Sequence, residues 1–178
     1  MGLFRILGIE PPSNAAAGAE TETVRKITRA LDQMPPEGAR YLAAFAYILS
    51  RVARADLVIS DEETRAMERI VMETGGMPED QAILVVQIAK TQNLLFGATE
   101  NFLVTREFTK LATREQKLRL LHCLFAVSAA DESISSAEDN VVRQIARELS
   151  LEHSDYIEVR TRFREHLAVL KKPPGPAA

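Results

Sequence analysis

Apolar positions along this chain recur at the spacing of α-helices, and nowhere alternate with period two for long enough to make a strand. Val24, Ile27, Ala30 and Leu31 mark a first helix, with Arg25, Lys26 and Arg29 on its other side. Met34-Pro35-Pro36 closes it and opens the next, because proline suits a first turn and disrupts a helix interior. Tyr41 to Leu49 is apolar on every side, the pattern of a helix enclosed by protein. Ser60 and Glu63 have the spacing of a capping box, and the helix they open runs through Met67, Ile70 and Val71 to Gly75-Gly76. Pro78 with Glu79 and Asp80 begins another, carrying Ile83, Val86, Ile88 and Ala89. The chain turns around Phe96-Gly97, and Phe102, Val104, Phe108 and Leu111 predict a fifth helix.

The second part of the chain repeats the first. Thr113 is a candidate cap, and Leu118 to Val127 is again apolar nearly all round. Ser135 and Glu138 make a second capping box, opening a helix through Val142 and Ile145 to Leu149. A last helix is predicted with Tyr156, Ile157, Phe163, Leu167 and Leu170 on its apolar side. Ala55-Asp56-Leu57-Val58-Ile59-Ser60-Asp61-Glu62-Glu63 returns as Ala130-Asp131-Glu132-Ser133-Ile134-Ser135-Ser136-Ala137-Glu138. Leu49 and Leu124, Val52 and Val127, Ile70 and Ile145, and Glu73 and Glu148 match at the same offset of 75. Such self-similarity implies two related helical units packed together. The expected fold is all-α, a compact bundle of seven or eight helices with an internal pseudo-two-fold repeat. Residues 1–20 are expected to be a flexible leader, 21–170 a single helical domain, and 171–178 a disordered tail.

Composition narrows the function more than the fold. A chain of 178 residues suffices for one domain burying roughly 70% of its unfolded surface. The net charge of -3 is mild and the basic residues form no aromatic-studded stripe, which argues against nucleic acid. Cys123 is the only cysteine, so no intramolecular disulfide forms, and its apolar neighbours Leu120, Leu121, Leu124 and Phe125 predict an inert thiol. No apolar run approaches the ~20 residues of a membrane span. The start carries Leu3, Phe4, Ile6, Leu7 and Ile9 around Arg5, which reads as a fraying leader or a short amphipathic foot for a membrane or partner.

The chemistry worth weighing lies in the two acidic turns. The first offers Asp56, Asp61, Glu62 and Glu63; the second offers Asp131, Glu132, Glu138 and Asp139. Hard cations take oxygen ligands, and clustered carboxylates supply them. Capping and turn chemistry account for the same residues without a ligand: the glutamates as box partners, the aspartates as turn formers. Neither turn has the EF-hand pattern. His122 is expected in the core, His153 and His166 lack the spacing of paired ligands, and no nucleophile elbow or phosphate loop is present.

The doubled Ala-Asp-x-x-Ile-Ser-x-x-Glu phrase in a helical frame resembles the tellurite-resistance TerB family, whose domain also occurs at the front of a DnaJ-like membrane co-chaperone. The resemblance spans roughly residues 22 to 170. It implies a TerB-like helical domain with an acidic surface for a divalent cation (Ca, Mn or Mg) or a partner, at Asp56, Glu63, Asp131 and Glu138. Leu57 and Glu132 replace the glycine usual after each Asp, which changes how that Asp can aim. The expectation is a non-enzymatic stress-response binding module with a protein partner, either cytoplasmic or peripheral to the inner membrane, with no nucleic acid and no identified small-molecule substrate. The alternative is a structural or assembly protein whose acidic residues only cap helices. A carboxylate-rich face repels the tellurite anion, and one buried thiol cannot reduce it, so direct detoxification is not expected.

Overall fold

The computed structural model describes residues 22–53, 60–92, 98–130 and 133–170. The expected leader, the tail and the turn at Phe96-Gly97 lie outside these. The described residues form eight α-helices: α1 (Glu22–Asp32), α2 (Pro36–Ser50), α3 (Asp61–Glu73), α4 (Glu79–Gln92), α5 (Ala98–Leu111), α6 (Arg114–Ala129), α7 (Ser136–Glu148) and α8 (His153–Arg162). Two short 3-10 turns follow, Arg164–His166 and Ala168–Leu170. The fold is the all-α bundle that the periodicity predicts.

The two helices that are apolar all round sit at the centre. In α2 every side chain from Leu42 to Ser50 is buried, and α6 buries Leu120, Leu121, Cys123, Leu124, Phe125, Val127 and Ser128. Helix α2 packs against α1, α4, α5 and α6, while α6 packs against α2, α3, α7 and α8. Each central helix carries an aromatic cluster. Tyr41 and Phe45 meet Phe108 of α5 with ring centroids 5.2 and 6.2 Å away. Phe125 meets Tyr156 at 5.9 Å and stacks on Phe163 at 5.6 Å. Burying each such ring or an aliphatic chain like Leu49 is worth about 1.5–3 kcal/mol, which is what holds helices of modest intrinsic stability in place.

The repeat is visible in the elements. Helices α3 and α7 are each 13 residues long and begin 75 positions apart, each capped by a serine. Their exits differ by one residue. Helix α3 leaves through Gly76, at φ 67°, where an added Cβ would come within 2.6 Å of Arg119 Nη1. Helix α7 ends in a Schellman motif: Leu151 N–H donates to Ala146 O and Ser150 N–H to Arg147 O, both at 3.0 Å. Its left-handed residue is Ser150, at φ 57°, where glycine is usual.

The predicted final helix stops at Arg162 and does not reach Leu170. Beyond it, His166 O accepts from Ile134 N–H at 2.7 Å and Ala168 N–H donates to Ile134 O at 2.9 Å, an isolated parallel bridge between Ile134 and Leu167. A continuing helix would spend that carbonyl and amide on its own ladder. Tyr156 and Leu167 are buried as expected, but Ile157 is 43% and Leu170 58% exposed, so those two do not belong to the apolar side.

Candidate functional site

Each acidic turn joins a central helix to a serine-capped helix. In the first, α2 ends at Ser50, Arg51 caps it, and α3 starts after Ser60. Ser60 Oγ accepts from Glu63 N–H at 3.2 Å, and Glu63 Oε2 accepts from Ser60 N–H at 2.6 Å. In the second, Ser135 Oγ accepts from Glu138 N–H at 3.2 Å, and Glu138 Oε2 accepts from Ser135 N–H at 2.8 Å. The reciprocal box satisfies two amides that a helix start otherwise orphans. Hydrogen bonds from the Ser60 hydroxyl and amide hold the Glu63 carboxyl below its ordinary range. In both boxes only Oε2 is engaged; Oε1 of Glu63 and of Glu138 has no hydrogen-bond partner among the described residues.

Asp56 and Asp131, the other two residues of the predicted set, lie outside the described residues, as do Leu57 and Glu132. Among the described residues no group of three or more His, Cys, Asp or Glu side chains is arranged to hold a metal ion. Asp61 and Glu62 are exposed on the first turn of α3, where the helix dipole favours negative charge.

Asp139 departs from its expected place on the acidic surface. It is 6% exposed and accepts from Arg160 Nε at 2.9 and 3.1 Å and from the Tyr156 hydroxyl. Burial, and then the bond to Asp139, raise the Tyr156 hydroxyl above its ordinary range. Arg160, its side chain 23% exposed, is thereby committed to an internal partner. The signal was available: Asp139 stands one helical step before Val142, Ile145 and Ala146, on the face they bury.

Two further ion pairs escaped the sequence. Arg51 Nη1 donates to Glu148 Oε2 at 2.6 Å and Nη2 to Oε1 at 3.2 Å, joining the end of α2 to the end of α7. Burial alone would raise the Glu148 carboxyl, but Arg51, Thr105 and Gln144 outweigh it and hold it low. Arg114 donates to Asp155 Oδ1 at 2.5 Å across 41 positions. Cys123 is fully buried and burial pushes its thiol up to about 12, so it is the inert core residue expected. His122 is half-buried beside Phe163; burial, then nearby Arg162, lower its pKa.

These features define a helical module built from two related units, each turning through a serine-capped acidic elbow. No described helix is long and apolar enough to cross a membrane. A family model described as Tellurite resistance protein TerB matches residues 42–161, which takes in both elbows and both central helices. The chain belongs to the TerB family. Neither the curated proteins nor the solved structures include a match to it.

Proposed function

We propose that this chain is a non-enzymatic binding module of the tellurite-resistance, stress-response type, using its acidic elbows to hold a divalent cation or a basic protein partner. One observation carries the reading: both boxes use a single carboxylate oxygen and leave the other without a partner among the described residues. Capping and ligation are therefore compatible, and the assigned set is Asp56 with Glu63 and Asp131 with Glu138. Calcium, magnesium or manganese suits such all-oxygen donors. The partner is a protein, met in the cytoplasm or at the inner membrane surface.

The test is a titration of the full chain with Ca, Mg and Mn, followed by melting temperature and amide NMR shifts. The reading expects a saturable response to at least one cation that is lost in the Asp56→Asn, Asp131→Asn double variant. No response to any of the three removes the cation half. A pulldown from stressed cells that is unchanged in the same variant removes the partner half. The completeness of both boxes favours a second reading, a structural or assembly protein whose acidic residues serve as caps alone. It expects unaltered binding behaviour throughout.

A further inference from the structure

A cavity of about 190 Å³ opens between the C-terminal half of α7 and the first turn of α8, with Arg143, Arg147, Glu152, His153 and Tyr156 on its walls. Its floor is rigid. The Tyr156 ring is stacked against His153 at a centroid separation of 6.0 Å and covered by the Arg143 guanidinium at 5.7 Å. Its hydroxyl is tied to Asp139, which Arg160 neutralises. The charge of the cavity is thus set by Arg143, Arg147 and Glu152.

Two properties make this more than a solvated basic face. Neither Arg143 nor Arg147 has an ion-pair partner among the described residues, although they stand one helical turn apart and line the same cavity. Arg143 Nε is buried and finds no hydrogen-bond acceptor among the described residues. A buried donor left unmatched is costly unless something supplies the acceptor.

We propose that this cavity binds a small oxyanion of the phosphate type. Guanidinium groups match the oxygens of such an ion, and a volume well below the several hundred Å³ of drug-sized pockets suits a single compact group. The site is independent of the acidic elbows: it uses different helices' faces, the opposite sign of charge and none of the residues assigned there.

The experiment is a titration of the full chain with inorganic phosphate at neutral pH and fixed ionic strength, read by amide NMR. Saturable shifts are expected at Arg147, Glu152 and His153. Arg147→Gln, an exposed position whose loss leaves the melting temperature unchanged, weakens binding about tenfold by removing a charge-assisted contact. Glu152→Gln tightens it, because it removes the one opposing carboxylate on the wall. Shifts that rise linearly without saturating, an Arg147→Gln affinity equal to that of the parent, or an unaltered affinity in Glu152→Gln each overturn the assignment.

Discussion

The Arg51–Glu148 pair allows a quantitative test of what holds the two units together. Its side chains are only 9% and 11% exposed, and both oxygens of the carboxylate are engaged by the guanidinium. Arg51 also donates to Thr105 Oγ1 at 3.1 Å, and Gln144 donates to Glu148 Oε1 at 2.9 Å, so the pair ties α2, α5 and α7. Glu148→Leu leaves the guanidinium buried without its counter-charge, which costs about 3–5 kcal/mol. For a chain of this size each kcal/mol lowers Tm by roughly 2–4 °C, so a fall of about 6–20 °C is expected. Arg51→Met should cost a similar amount. The double variant replaces the pair with apolar volume and should recover most of the loss, because neither charge is then stranded. The coupling is also pH-dependent. The Glu148 carboxyl is held below its unfolded value, so its contribution is present above the ordinary carboxylate range and disappears as pH falls through the lowered folded pKa. Denaturant melts of parent, both singles and the double, at neutral and acid pH, close the cycle. Single variants costing less than about 1 kcal/mol, or a double variant as unstable as the sum of the singles, would falsify the assignment of this pair as a buried tie.

Ser150→Gly removes the cost of a side chain at φ 57° in a glycine-favouring position and should stabilise by about 0.5–1 kcal/mol, while Gly76→Ala should destabilise by more than that; thermal melts of the two variants must move in opposite directions. Ser60→Ala and Ser135→Ala should each cost about 1 kcal/mol, with Glu63→Gln nearly neutral because the amide oxygen can still serve the box. Equal losses for Ser60→Ala and Glu63→Gln in urea melts would contradict that account. Cys123, with its thiol pushed up to about 12 by burial, should resist a thiol reagent in the native state and react fully once unfolded; rapid native labelling would show the core to be more open than described.

What sequence could reveal followed the range of each interaction. Helix starts depend on neighbours three residues apart, so Ser60 with Glu63 and Ser135 with Glu138 were readable in the sequence, and both boxes are found. Thr113 was expected as a cap, but its box partner Gln116 went unnoticed. The burial of α2 and much of α6 was equally legible, because an all-apolar segment leaves no face for water. Partners 97 or 21 positions apart leave no comparable mark: nothing near Arg51 or Asp139 in sequence points to Glu148 or Arg160. The last helix failed for the same reason, since its end is decided by a backbone bridge to Ile134 more than thirty positions earlier. Of the four residues assigned to the acidic site, Glu63 and Glu138 occupy equivalent positions, and the two aspartates lie outside the described residues.

The tie between α2 and α7 has a bearing on how the two halves can have diverged. At the offset of 75, the counterpart of Arg51 is Ala126 and that of Glu148 is Glu73. The link is therefore made once, in one direction, with the cation contributed by the earlier copy and the anion by the later. A hypothetical chain assembled from two earlier copies would keep an arginine and a glutamate at the two places, whereas one from two later copies would have alanine in place of the arginine and strand its carboxylate. The two copies are therefore unequal: the earlier one still carries both ends of the cross-member, and the later one only its anion.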